Sequence, residues 1–317
     1  MNIGRILVTG SGSFLGRHTV AVLRDRYGAD PVICVSSKDY DLTDPAQARR
    51  MIEDNKPDVL IHLAGYVGGI GANRARPADF FYRNIQMTTQ VFEAAARCGI
   101  RKLIFTMGGC SYPGSATSPI GEDQMWNGYP QADSAAYSSA KKMGIVASEA
   151  YRQQYGLNSA VMVPGNLYGE YDNFLENESH EIPAMIRRFV EAKRQRASEI
   201  VCWGRGTPVR DFVFAADVAH AVPFFIESYN SSEPVNISSG TSTSIRELAE
   251  TVQELTGFPG DIRWDTSKPE GQLVKIFDVT RMKQLGINCD TPLREGLRKT
   301  IRWFEANYDD RSDGIRL

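Results

Sequence analysis

RILVTGSGSFLGRHTVAVL, residues 5–23, runs an apolar, β-branched segment into an amphipathic helical pattern through a turn that carries Gly10, Gly12 and Gly16. Glycines between a first strand and a first helix let an anion approach bare backbone, and the helix N-terminus beyond them offers unpaired amides and partial positive charge. The spacing is close to that of a dinucleotide loop, with Ser13 where many such loops have a middle glycine. Ser13, Phe14 and Leu15 complete the candidate contacts. The same glycines also suit a plain structural turn, so the surrounding pattern has to decide.

Outward from this turn, short β-branched runs alternate with helical patterns. Ile3–Thr9, Val32–Val35, Val59–Leu63, Lys102–Thr106 and Ser159–Val163 read as strands, and the stretches near 15–26, 44–55, 79–98 and 134–155 as helices. Parallel strands need crossover connections, so this alternation predicts an α/β fold: a Rossmann-type, doubly wound parallel sheet covered on both faces. After Gly165 the rhythm changes to a loop rich in Asn, Glu and His, a helix near 182–195, and shorter elements. We read this as a smaller α/β substrate-binding domain. The predicted division is 1–167, with returning segments at about 210–240, for the dinucleotide domain, and 168–209 with 241–317 for the second. The tail DDRSDGIRL is expected to fray.

In such a sheet ligands bind beyond the carboxyl ends of the strands. Candidate cofactor contacts therefore include Asp41 and Leu42 after the second strand, Leu63, Ala64 and Gly65 after the third, and Pro164, Asn166 and Leu167 after the fifth. The second strand ends in Ser36-Ser37-Lys38 rather than in the lone acid that grips an adenosine ribose. Two hydroxyls and an ammonium suit a 2′-phosphate, so NADP(H) is preferred and NAD(H) stays open.

Bulk properties exclude several classes. With a net charge of −2 and Lys and Arg spread throughout, no basic field points to nucleic acid or a membrane surface. No apolar run reaches the roughly 18–20 residues that span a bilayer. Five scattered cysteines without a CxxC pair read as reduced thiols, and the N-terminus lacks a secretory pattern, so a cytoplasmic protein is expected.

Tyr137 and Lys141 are four apart in AAYSSAKKMG, one helical turn on one face. A phenol is too weak a base at neutral pH, and an adjacent ammonium is expected to favour its anion.

At these residues the chain resembles the extended short-chain dehydrogenase/reductase family, and within it the branch that epimerises and then reduces GDP-4-keto-6-deoxy-D-mannose to GDP-L-fucose. The similar segments are VSSKDYDLTD, VLIHLAGYVGGIGAN, GGCSYP, AYSSAKKMGIVASEAYRQQYG, VPGNLYGEYDNF, SHEIPAMIRRF, WGRGTPVRDFVFAADVA, VNISSGTSTSIRELA and DTSKPEGQLVKIFDVTR, of which VGGIGAN, the DNF segment and SHEIPA are the most specific. The resemblance implies that Cys110 and His180 exchange protons at the carbons flanking a ketone. It implies that Tyr137 protonates the new hydroxyl, that Lys141 holds the nicotinamide ribose, and that His180 also lies by the cofactor. Arg188, Arg210 and Lys275 are implied near the substrate diphosphate and sugar, with Trp203 near the base, and a homodimer is implied.

Two departures stand out. Gly108 occupies the position where the family has a Ser or Thr that hydrogen-bonds the reacting carbonyl; Ser111 or a water is the expected substitute. Val274 stands where a basic residue is frequent. The alternatives are a related 4-keto nucleotide-sugar reductase or epimerase, acting on another deoxysugar or a heptose with one of the two activities, and a non-catalytic dinucleotide-binding scaffold.

Overall fold

Six parallel strands form the central sheet of the computed structural model, which describes residues 3–176, 178–267 and 272–308. In chain order they are β1 (Ile6–Thr9), β2 (Val32–Val35), β3 (Val59–His62), β4 (Lys102–Thr106) and β5 (Ser159–Pro164), with a late sixth, β10 (Pro234–Ile237). The spatial order is β10-β5-β4-β3-β1-β2. The chain steps from β1 outward to β2 and then back across β1 to β3, which opens a crevice at the carboxyl ends of β1 and β3. The first strand begins at Ile6, not at Ile3, because its neighbours begin at that level: Ile6 is opposite both Val32 and Val59.

Helices cover both faces. On one, α1 (Phe14–Tyr27), α7 (Ala215–Glu227) and α9 (Thr280–Gln284) close a cluster around Ile6, Val8, Ile61, Ile104 and Phe225. On the other, α2 (Pro45–Asn55), α4 (Pro77–Arg97) and α5 (Ala135–Tyr155) cover Leu7, Leu60, Leu103, Phe105 and Val161. Alternate residues of each strand face opposite clusters, as the pleat requires. The short α3 (Ile70–Ala75) leads into α4. Of the segment expected to return to the sheet, α7 packs on α1 and β10 pairs with β5.

A third cluster gathers α6 (Glu181–Arg194), α8 (Ile245–Thr256) and α10 (Leu293–Asn307) around Phe189, Leu248 and Phe304. Three small sheets border it: β6 (Asn166–Tyr168) beside β9 (Phe212–Phe214); β7 (Glu199–Trp203) beside β12 (Asp261–Asp265); and β8 (Val209–Arg210) between β11 (Thr243–Ser244) and β13 (Val274–Lys275). The predicted division differs from this packing in one stretch. Phe277, Val279, Met282, Ile287 and Cys289 were assigned to the second domain but pack into the clusters of the central sheet. Their apolar side chains join the same strand faces that the earlier helices cover. The tail 309–317 and residues 268–271 of the DTSKPEGQLVKIFDVTR stretch lie outside the described residues.

Candidate active site

Each glycine of the first turn does a different job. Gly10 has φ +67°, and a Cβ there would lie 2.8 Å from the Ala64 nitrogen at the end of β3. A Cβ on Gly16 would lie 2.1 Å from the Gly10 carbonyl oxygen, so α1 can start so close to β1 only on a glycine. A Cβ on Gly12 would meet nothing within 4 Å, which leaves the approach to the helix open. Ser13 caps α1, its hydroxyl accepting from the Gly16 amide at 3.3 Å, with Phe14 and Leu15 in the first turn. The residues present fit a pyrophosphate: a bare approach, free amides and a helix end.

The corner after β2 differs from the sequence expectation. Both the amide and the hydroxyl of Ser36 donate to Asp39 Oδ2 at 2.8 Å, and the Lys38 amide donates to Ser36 Oγ at 3.2 Å. The Ser36 hydroxyl is therefore committed to a carboxylate that sequence reasoning passed over, and these bonds hold the Asp39 pKa below the usual carboxylate value. Ser37 and Lys38 are exposed. Asp41 accepts from the Thr43 amide and hydroxyl, and Leu42 is buried. Gly65 borders Asn84, whose amide group clasps Tyr66 through its N–H at 3.0 Å and its carbonyl at 2.9 Å. Leu63 and Leu167 pack on the sheet core, Pro164 ends β5, and the Asn166 amide donates to the Asp211 carbonyl at 2.7 Å.

On α5, Lys141 is buried with Nζ 4.4 Å from the Phe105 ring centroid. Burial lowers its pKa to about 7, and the Cys110 thiol beside it works in the opposite direction. Tyr137 stands edge-on to Phe80 at 6.3 Å. Its phenol moves the opposite way from the sequence expectation: burial first, then Cys110, push its pKa up. Cys110 and Tyr137 meet at Gly108, where a Cβ would lie 3.3 Å from Cys110 Sγ and 3.9 Å from the Tyr137 hydroxyl oxygen. Of the expected substitutes for the missing hydroxyl, Ser111 is fully buried and its Oγ has no hydrogen-bond partner among the described residues.

His180 is the N-cap residue of α6 and is exposed, and surrounding protein lowers its imidazole pKa. Two segments singled out from the sequence come together here: the Gly69 amide of VGGIGAN donates to the Glu178 carbonyl at 2.9 Å, and a Cβ on Gly69 would lie 2.7 Å from the Ser179 oxygen. Farther along the cleft Arg210 and Lys275 sit side by side in parallel register. Burial lowers both pKa values; Cys110 opposes this at Lys275, and Glu181 at Arg210. Glu181 lies near Arg210 and Arg188, and Arg188 donates to the Val201 carbonyl. Trp203 and Val274 are exposed. A line of neighbours thus runs from Lys141 and Tyr137 through Cys110, Lys275 and Arg210 to Glu181 and Arg188.

Several buried groups had no signal in sequence spacing. The Asp211 carboxylate accepts from Ser239 Oγ at 2.6 Å and from the amides of Gly240 and Phe277, which ties three distant segments behind Arg210 and Lys275. Asn236 accepts from the Tyr112 hydroxyl at 2.6 Å and donates to the carbonyls of Ile120 and Asp278, fixing the turn that carries Cys110. His62, fully buried and stacked on Phe105, shares a 2.9 Å hydrogen bond with Thr9 Oγ1. Burial and then Lys141 hold its pKa well below the usual value, so it is neutral.

A family model described as NAD dependent epimerase/dehydratase matches residues 6–238. The chain belongs to that family. It is 39% identical over 309 residues to a probable GDP-L-fucose synthase of Oryza sativa, covering 96% of this chain and 93% of that one. It is 34% identical over 318 residues to the GDP-L-fucose synthase of Escherichia coli, covering 98% and 99%. A crystal structure of a GDP-L-fucose synthetase from Naegleria fowleri bound to NADP superposes with a TM-score of 0.88 at 26% identity, covering 96% of this chain and 95% of that chain.

Asp172 of the DNF segment is buried, with Oδ1 accepting the Asn173 amide at 2.7 Å and Oδ2 unpartnered. Burial pushes its pKa up to about 8. A carboxyl raised in the fold opposes folding progressively from its unfolded pKa of about 4 upward. Asp172→Asn abolishes this titration. Its unfolding free energy relative to wild type is expected to improve by up to about 5 kcal/mol between pH 4 and pH 8, read from urea denaturation across that range. A pH-independent difference refutes the buried carboxyl.

Proposed function

We propose that this enzyme inverts the two carbons flanking the ketone of GDP-4-keto-6-deoxy-D-mannose and then reduces the ketone to give GDP-L-fucose, using NADPH. The observation that carries the reading is the convergence of Cys110 and Tyr137 on Gly108, with Lys141 buried on the same helix face. The names of the relatives in rice and Escherichia coli, each matched over nearly the whole chain, support the substrate. The Naegleria structure supports NADP, as do the exposed Ser37 and Lys38.

Inversion needs a base on one face of the carbon and an acid on the other. Cys110 and His180 fill these roles: one removes the proton alpha to the carbonyl, the other returns a proton to the opposite face, and no net proton is consumed. The enolate between these steps carries charge on the carbonyl oxygen, which the Tyr137 hydroxyl stabilises by donation. When bound, the reduced nicotinamide supplies the hydride for the ketone carbon. Tyr137 gives its proton to the oxygen, and Lys141 holds the nicotinamide ribose and favours the resulting phenolate. Arg188, Arg210 and Lys275 hold the diphosphate and sugar, with Glu181 as their counter-ion in the free enzyme. Trp203 borders the base.

We further propose that the unit around the third cluster is the substrate domain, that the protein is cytoplasmic, and that it is a homodimer. Among the described residues no helix is long and apolar enough to cross a membrane. Phe81 and Tyr82 of α4 and Val146 and Tyr155 of α5 are exposed, an apolar face suited to a second copy. Light scattering is expected to give twice the 35.2 kDa chain mass; the single mass refutes the dimer.

Incubation of the protein with GDP-4-keto-6-deoxy-D-mannose in deuterated water, with and without NADPH, tests the reaction. Label is expected at both flanking carbons, and NADPH oxidation is expected to match product formed. Label without oxidation leaves an epimerase, oxidation without label a reductase, and neither event a scaffold. Gly108 gives a second test. Its φ of −107° suits any residue, and the 3.3 Å contact with Cys110 Sγ is relieved by rotating a thiol. Since one such donor is worth about a hundred- to a thousand-fold in rate, Gly108→Ser is expected to raise kcat for reduction by about tenfold or more. Gly108→Ala is not, and equal behaviour of the two removes the hydroxyl argument.

A further inference from the structure

The first turn of α1 carries a cation that the roles above leave out. Arg17 donates from Nε to the Gly12 carbonyl at 3.2 Å, and its Cζ lies 5.2 Å from the centroid of the Tyr171 ring. A guanidinium stacked by its face keeps its N–H groups in plane and free to bond. Here one of those edges is anchored on the backbone of the glycine turn, and among the described residues no carboxylate forms an ion pair with Arg17. Tyr171 is itself firmly set. It has φ +69°, rare for a bulky residue, and makes edge contacts with Trp303 at 5.2 Å and His18 at 5.4 Å. The neighbouring Glu170 carbonyl is 3.0 Å from His18 Nε2, so the loop after β6 is fastened to α1 at two points. Beside Gly12, whose carbonyl takes the Arg17 Nε, a Cβ would meet nothing within 4 Å.

We propose that Arg17 binds a phosphate of the dinucleotide and is held in place for this by Tyr171. An uncompensated guanidinium kept next to an open helix N-terminus is matched by an anion that reaches both, and the dinucleotide brings a pyrophosphate to that end and, in NADP(H), a 2′-phosphate nearby. Because Tyr171 belongs to the chain segment leading to His180, the same contact ties cofactor binding to the substrate side of the cleft. The inference rests on the dinucleotide reading above.

Titration of NADPH and NADH, followed by nicotinamide fluorescence on wild type, Arg17→Ala, Arg17→Lys and Tyr171→Ala, tests it. Arg17→Ala is expected to raise the Kd about tenfold to a hundredfold, the worth of one charge-assisted hydrogen bond, with Arg17→Lys between it and wild type and Tyr171→Ala following in the same direction. Equal losses for the two dinucleotides identify the pyrophosphate, and a loss for NADPH alone identifies the 2′-phosphate. The melting temperature without cofactor is expected to stay that of wild type for both Arg17 variants, which separates lost binding from lost folding. If Arg17→Ala binds both dinucleotides within twofold of wild type, Arg17 has no such role while the cofactor reading stands. If wild type binds neither, both fall.

Discussion

Lys141 enters the interior between α5 and the sheet with its ammonium over the Phe105 ring. An ammonium withdrawn from water loses several kcal/mol of hydration in the absence of partners, and an aromatic face returns only about 0.5–2 kcal/mol. The surroundings are consequently arranged around this one group. Gly144, one turn along α5, has no side chain because a Cβ there would lie 2.2 Å from Phe105 Cε1; the missing atom lets helix and ring approach closely enough for the ammonium to sit on the ring. Thr9, His62 and Phe105, the last or next-to-last residues of three adjacent strands, are aligned in one row, and the middle one is kept neutral. A charged imidazole there would repel the lysine. Catalytic placement and sheet register are therefore one constraint: a shift of any of these strands by one residue would point the row at the opposite face.

Local features of this arrangement were legible in the sequence. The strand and helix alternation, the three glycines and the four-residue step from Tyr137 to Lys141 are short-range patterns whose geometry follows from helix and strand periods. The helix predicted near 134–155 is α5, at 135–155, and Lys102–Thr106 is β4. The supporting groups were not legible, since their partners lie far away in sequence. Asp211 answers to Ser239, Gly240 and Phe277, and Asn236 answers to Tyr112, Ile120 and Asp278. No spacing rule joins residues 112 and 236. Ser36 shows the opposite failure: its hydroxyl was read as free for a ligand when a local turn to Asp39, three residues on, already uses it. The rise of the Tyr137 pKa was likewise hidden, because helix spacing reports which groups are neighbours and not how much water they lose.

The paired glycines 108 and 109 look equivalent in the sequence and are not. A Cβ on Gly109 would lie 2.4 Å from Phe277 Cζ, and Phe277 packs in the core of the sheet, so this glycine is fixed by packing. Gly108 has ordinary backbone angles, and its nearest neighbours are the Cys110 thiol and the Tyr137 ring. Its backbone does not require a glycine. In the proposed reaction, without a hydroxyl there, the oxygen of a bound ketone depends on Tyr137 for its protein donor at this position. The enolate formed during inversion and the alkoxide formed during reduction then draw on the same phenol.

That dependence explains why the far end of the cleft matters to the near end. Lys275 is within electrostatic reach of both Cys110 and Arg210, so a phosphate group that pairs with Arg210 alters the field at the thiol as well. In the free enzyme the two partly buried cations stand side by side, a repulsion that Glu181 offsets at Arg210. In the proposed reaction a diphosphate arriving there replaces this repulsion with charge-assisted hydrogen bonds. Binding energy from the nucleotide, remote from the reacting carbons, is in that reading used to hold the sugar in place.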